Sequence, residues 1–236
     1  MFPVALLAGG LATRLRPVTE KVPKSLLEVN GAPFIEHQLR LLRANGVQRV
    51  VLCAGFLGEM IRDVVGDGKA FGVAVDYSFD GPTLLGTAGA IHRALPLLGE
   101  SFFVLYGDSY LVCDYAGVAR AFQSAGKLAL MTVFRNDGKW DTSNVEFENG
   151  QILAYSKNNR TPRMQYIDYG LGVFSARAFE GVKNGEAFDL ADLYGRMLSG
   201  RQLAGMEIRQ RFYEIGSPVG LEETARFLAE QGVVEG

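Results

Sequence analysis

The chain has 236 residues, 48% of them hydrophobic, enough to bury a full core as one domain or a domain with a small appended lobe. Its 24 basic and 26 acidic residues leave a formal net charge of -2, which excludes the broad basic field of a general nucleic-acid binder. Phosphate chemistry, if there is any, must come from local placement of charge. The start, Met1-Phe2-Pro3-Val4, lacks the basic lead and small-residue cleavage site of a signal peptide, and no apolar stretch is long enough to span a bilayer. Cys53 and Cys113 have neither metal-ligand nor redox-pair spacing, and His37 and His92 stand alone. These features predict a cytoplasmic protein with no membrane or nucleic-acid partner and no structural zinc.

In chain order, Val4 to Leu7 reads as a first buried strand. Pro33 opens a helix with Ile35, Leu39 and Leu42 at helical spacing, and Asn45-Gly46 stops it before a strand from Arg49 to Ala54. Leu57 to Val65 repeats the helix, Gly66-Asp67-Gly68 breaks it, and Val73 to Phe79 repeats the strand. A glycine-rich loop from Asp80 to Gly89 runs into a helix ending near Leu95-Pro96, and Phe102 to Tyr106 forms the next strand, stopping at Gly107-Asp108-Ser109. Beyond it come a helix (Tyr115 to Ser124) and a strand (Leu128 to Phe134). Val145 to Glu148 and Gln151 to Tyr155 then flank Asn149-Gly150, a strong signal for a tight hairpin. Ile167 to Ser175 returns as a strand, followed by a helix (Asp189 to Ser199), a late strand (Phe212 to Ile215) and a last helix capped by Ser217-Pro218. The alternation predicts a single α/β domain: a Rossmann-like, doubly wound mixed sheet with a small antiparallel lobe built on the hairpin. Within it, a first half would span about residues 1–110, a second part about 111–216 and a C-terminal helix 217–231.

The segment Leu7-Ala8-Gly9-Gly10-Leu11-Ala12-Thr13-Arg14-Leu15-Arg16-Pro17 follows the first strand directly, where an open α/β sheet places its ligand crevice. Glycines there let backbone N–H groups approach a phosphate, while Arg14, Arg16 and Lys24 supply positive charge. Gly-Gly alone reads equally as a surface turn, but the order strand, Gly-Gly, Thr-Arg, Arg-Pro, Pro-Lys is more restrictive. Neither a P-loop nor a dinucleotide fingerprint follows the strand, which disfavours a P-loop kinase or ATPase and a dinucleotide-dependent oxidoreductase.

With Asn30-Gly31-Ala32-Pro33-Phe34-Ile35, Leu85-Gly86-Thr87-Ala88-Gly89-Ala90, Tyr106-Gly107-Asp108-Ser109 and Tyr213-Glu214-Ile215-Gly216-Ser217-Pro218 in order, the chain resembles the sugar-1-phosphate nucleotidyltransferase family over nearly its whole length. It is most similar to short bacterial members acting on heptose, mannose or N-acetylmuramate 1-phosphate. The resemblance implies transfer of a nucleoside monophosphate from an NTP to a sugar 1-phosphate with release of pyrophosphate, supported by Mg²⁺, in a monomer or homodimer. It assigns nucleotide contacts to Leu7, Ala8, Gly9, Gly10, Thr13, Arg14, Gly86, Thr87 and Ala88, catalytic charge to Arg14, Lys24 and Asp108, and the metal to Asp108 and Glu214. Lys157, Asp168 and Asn144 are the sugar-phosphate candidates. Here the chain departs from the family pattern: Glu214 stands where Asp is common, Ser156-Lys157-Asn158 replaces Glu-Lys-Pro, and Asp168 stands where Asn is frequent. Purely structural readings also stand: Asp108 capping a turn, Glu214 paired to an Arg, Lys157 solvated after the hairpin and Asp168 an edge-strand acid. A non-catalytic sugar-nucleotide-binding regulatory subunit and a transferase for a non-sugar phosphorylated alcohol are the competing functions.

Overall fold

A computed structural model describes residues 1–10, 15 and 18–232. Strand β1 (Val4–Leu7) is followed by a small hairpin of β2 (Glu28–Val29) and β3 (Ala32–Pro33), then α1 (Phe34–Ala44), β4 (Arg49–Ala54), α2 (Gly58–Val65), β5 (Ala74–Phe79), α3 (Gly86–Leu98) and β6 (Ser101–Tyr106). Successive residues of β1 and β6 go into different cores. Val4, Leu6, Phe103 and Leu105 face α1, α2 and a later helix at Tyr115–Ala125, while Ala5, Phe102 and Val104 face α3 and a later helix at Leu190–Ser199. A strand buried on both faces needs a continuous apolar run rather than an alternating one, which is what Val4-Ala5-Leu6-Leu7 supplies.

The parallel half has the order β6-β1-β4-β5. The chain winds outward from β1 through β4 to β5 and then crosses back, by way of α3 on the opposite face, to lay β6 on the other side of β1. This reversal leaves a crevice beyond the carboxyl ends of β1 and β6, because the connections on either side of it run to opposite faces of the sheet. The Lys24 and Asp108 loops meet there.

After β7 (Ser109–Leu111) and α4 (Tyr115–Ala125), the second half runs through β8 (Ala129–Arg135), β9 (Val145–Glu148), β10 (Gln151–Tyr155) and β11 (Tyr166–Ser175). It ends with α5 (Leu190–Ser199), β12 (Leu203–Ile208), β13 (Phe212–Glu214) and α6 (Pro218–Gly232). β11 pairs antiparallel with β6 along one edge and with β8 along the other, making the sheet mixed as expected. The β9-β10 hairpin turns at Asn149 (φ 51°) and Gly150 (φ 78°), the two positive-φ positions that the sequence supplies. It is not a separate sheet: Tyr166 of β11 pairs with Val145, joining the hairpin to the main sheet. Strand β12 has no counterpart among the expected elements. It pairs parallel with β8, and its Gly205 is bare because the Phe147 ring lies where a Cβ would stand, 2.7 Å away. Helix α3 runs on through Pro96 to Leu98.

Candidate active site

Leu7 of β1 lies beside Tyr106 of β6 at the sheet edge, so the loops leaving them are neighbours. Backbone packs directly on backbone here. A Cβ on Gly107 would sit 2.4 Å from the Leu7 carbonyl oxygen, and one on Gly9 would sit 2.9 Å from the Gly55 nitrogen. The result is a cavity of about 250 Å³ walled by Leu7, Ala8, Gly9 and Gly10 on one side and by Tyr106, Gly107 and Asp108 on another. Lys24, on a short 3₁₀ turn (Lys24–Leu26), reaches into it and donates to Asp108 Oδ2 at 2.7 Å, both side chains being largely shielded at 18% and 28% exposure. Gln38 of α1 is buried beneath and donates through Nε2 to the carbonyls of Tyr106 (3.1 Å) and Ser109 (2.8 Å), which fixes the turn carrying Asp108.

The segment expected to face the nucleobase forms a further wall. Gly86 (φ +69°) and Thr87 line the cavity, and a Cβ on Gly86 would meet the Phe188 carbonyl oxygen at 2.8 Å. Ala88 does not share this position. It is fully buried and gives its N–H to Phe188 O at 2.9 Å, so neither its surface nor its donor is free for a base. Asp80 and Asp189 also line the cavity and were not among the expected site residues. Asp80 is buried, with Oδ2 accepting from Leu85 N–H at 3.2 Å, and burial raises its pKa above the ordinary carboxylate value. The aspartate opening the loop before Gly81-Pro82 was the available signal for it; Asp189, far away in sequence, had none.

A second, open cleft of about 540 Å³ adjoins the first and shares Thr87 and Asp189 with it. Lys157 lines this cleft. Asn144 and Asp168 are brought together beside it: Asn144 Oδ1 accepts from Asp168 N–H at 3.0 Å, and Asn144 O from Ser156 N–H at 3.0 Å. Asp168 stands at a break in the β11-β8 register, where three residues before Gly172 bulge out and Gly170 takes φ +98°. Gly170 N–H donates back to Asp168 Oδ1 at 3.1 Å.

Burial pushes the Asp168 pKa up to about 6, against the opposing pull of the Gly170 N–H and the Lys157 charge. A carboxyl whose folded pKa lies above its unfolded one binds more protons when folded, so its ionisation subtracts stability as pH rises from about 4 to about 6. Asp168→Asn is therefore expected to stabilise the protein at pH 8 by roughly 2 kcal/mol more than at pH 4, measured by urea unfolding at both values. Equal effects at the two values would refute the shift.

Glu214 is the expected site residue that the structure turns elsewhere. β13 pairs with β7 and Ile215 N–H donates to Asp108 O at 2.9 Å, so the backbone does reach the site. The carboxylate, however, accepts from Gly216 N–H and from Ser217 Oγ (2.7 Å) and does not line the cavity. An acid at a helix N-terminus satisfies orphan donors and meets the favourable end of the dipole, which accounts for its orientation toward α6. Thr13 and Arg14 lie outside the described residues.

A family profile described as Nucleotidyl transferase matches residues 4–179. The N-acetylmuramate alpha-1-phosphate uridylyltransferase of Neisseria meningitidis serogroup B is 31% identical over 234 residues, covering 92% of this chain and 94% of that one. The chain belongs to the nucleotidyl transferase family. The Xenopus tropicalis mannose-1-phosphate guanylyltransferase catalytic subunit beta is 29% identical over 90% of this chain, which spans only 61% of that longer protein. Among solved structures, a Bacillus anthracis protein assigned as a glucose-1-phosphate thymidylyltransferase superposes with a TM-score of 0.84 over 97% of this chain and 95% of that one. At 22% identity this likeness is one of fold. For a family member, the wall from Leu7 to Gly10 and the Lys24–Asp108 pair are the cavity features whose chemistry suits a nucleoside triphosphate.

Proposed function

We propose that the protein transfers a nucleoside monophosphate from an NTP to a sugar 1-phosphate, giving an NDP-sugar and pyrophosphate. The carrying observation is the Lys24 ammonium held 2.7 Å from the Asp108 carboxylate at a cavity walled by Gly9 and Gly10. Positive charge, accessible backbone and a carboxylate converge where a triphosphate would need all three. In this reading an oxygen of the sugar phosphate attacks the α-phosphorus in line, the bond to the bridging oxygen of the β-phosphate breaks, and pyrophosphate leaves. The attacking oxygen is already anionic at neutral pH, so the chain needs no general base.

The first cavity takes the nucleotide, with Gly86 and Thr87 against the base, and the second takes the sugar phosphate, with Lys157 on its phosphate and Asn144 and Asp168 toward its hydroxyls. This makes residues 1–110 the nucleotide half and 111–216 the sugar part, followed by the C-terminal helix 217–231. Lys24, and Arg14 by its place in the motif, neutralise the phosphates.

The residues present fit a Mg²⁺ ion. Among the described residues no three His, Cys, Asp or Glu side chains form a metal cage, but Mg²⁺ takes one or two carboxylates and fills its shell from phosphates and water. Asp108 would hold it, having an Oδ1 engaged, among the described residues, by Ser109 Oγ alone at 3.3 Å. Bound there, the ion supplies charge stabilisation to the phosphates. Among the described residues no helix is long and apolar enough to cross a membrane, and both cysteines are free and buried, features that support a cytoplasmic setting.

The testing experiment is pyrophosphate release over four NTPs and a panel of sugar 1-phosphates, with mass detection of the products. Product in at least one combination is expected. Release with a phosphorylated non-sugar alcohol alone, or binding of a sugar nucleotide without pyrophosphate exchange, would replace the reading.

A further inference from the structure

The acceptor cleft carries an imbalance of charge that bears on which sugar phosphates can occupy it. Of the described residues lining it, Lys157 is the one cation, and Asp189 and Asp192 are two carboxylates on its α5 side. Asp168 adds a third beside it, close enough to act on Tyr155 in the cleft wall, whose phenol is pushed upward by burial first and then by the charges of Asp168 and Asp192. Three described cations are engaged elsewhere. Arg163 pairs with Glu146, Arg196 lies over the Phe188 ring at 4.9 Å, and Lys24 is held by Asp108 in the adjoining cavity. Asp189 Oδ1 accepts long contacts from Thr87 N–H at 3.5 Å and Thr87 Oγ1 at 3.4 Å, which leaves acceptor capacity facing the space the two cavities share.

We infer that Asp189 and Asp192 are specificity-determining residues that admit a neutral, polyhydroxylated sugar 1-phosphate and select against one bearing a carboxylate. The inference rests on the acceptor assignment made above. A sugar hydroxyl donates to a carboxylate and gains a charge-assisted hydrogen bond, whereas a substrate carboxylate in the same cleft meets like charge on two sides, and Lys157, the one cation among the described residues lining it, is already committed to the phosphate. N-acetylmuramate, the acid in the name of the Neisseria relative, carries such a carboxylate. Under this inference the acceptor named for that relative is not carried over to this chain by the 31% identity.

The test compares kcat/KM for hexose, N-acetylhexosamine and heptose 1-phosphates, each against a counterpart bearing one carboxylate, with all four NTPs. The near-isosteric pair of glucose 1-phosphate and glucuronate 1-phosphate separates charge from bulk. The neutral member is expected to be preferred by about 10-fold or more, as for a like charge brought into a partly screened site. In Asp189→Asn/Asp192→Asn the preference should shrink several-fold, and in the wild type it should shrink as salt rises, a dependence that steric exclusion lacks. Equal or better use of the acidic member by the wild type, or a preference unmoved by both the substitution and salt, overturns the inference. No turnover with any pair overturns the acceptor assignment and the inference with it.

Discussion

Replacing Asp108 by Ala is expected to lower turnover by about 10²–10³-fold or more, because preorganised charge at the reacting phosphates is the largest single contribution a site of this kind makes. The fold should survive. Asp108 is partly exposed and its pairing with Lys24 is of the shielded-surface kind, worth no more than about 1 kcal/mol. Steady-state pyrophosphate release with circular dichroism on the same samples checks both parts. Lys24 offers an internal comparison: with its ammonium 2.7 Å from Asp108 Oδ2, Lys24→Ala should lower the rate in the same assay while leaving the spectrum unchanged. Wild-type turnover in Asp108→Ala would remove the residue from the chemistry.

The largest effect on stability is expected at Gly107. An added Cβ would lie 2.4 Å from the Leu7 carbonyl oxygen, and the opposing atoms are backbone of Leu7, at the end of central strand β1, and of Ala8 after it, which cannot swing aside as a side chain can. Gly107→Ala should cost roughly 2–3 kcal/mol, by analogy with overpacked cores, and lower Tm by several degrees. Gly10→Ala is the control, since nothing among the described residues lies within 4 Å of the Cβ it would gain, and its stability should stay within about 0.5 kcal/mol of wild type. Matching losses in the two variants, read by thermal unfolding, would mean that the close approach of β1 and β6 does not limit stability.

Both effects arise from one feature, the edge where β1 and β6 end side by side. Sequence alone puts Gly9, Gly10 and Asp108 at strand ends, but nothing in it shows that Gly107 abuts Leu7 or that the buried Gln38 of α1 donates to Ser109 O at 2.8 Å and so holds the Asp108 turn. In sequence Gln38 is one polar residue between Ile35 and Leu39. Its role depends on which loop α1 packs beneath, and such a contact between distant segments leaves no mark on local periodicity. Ala88 shows the reverse case. The motif around it was legible, yet its N–H is taken by Phe188, a residue 100 positions later.

Local chemistry made the parallel half, the Asn149-Gly150 hairpin and the strand-end position of Asp108 readable from sequence alone, since apolar runs, helical spacing and positive-φ turn residues act over a few neighbours. Membership of the nucleotidyl transferase family was readable for the same reason, its motifs being short and ordered along the chain. Only the tertiary structure decided that Lys24 meets Asp108, that Glu214 turns to cap α6 rather than face the cavity, and that Asp189 stands between two cavities. Those outcomes depend on where long-range packing sends each side chain, and a carboxylate goes to whichever donors or cations the finished fold presents to it.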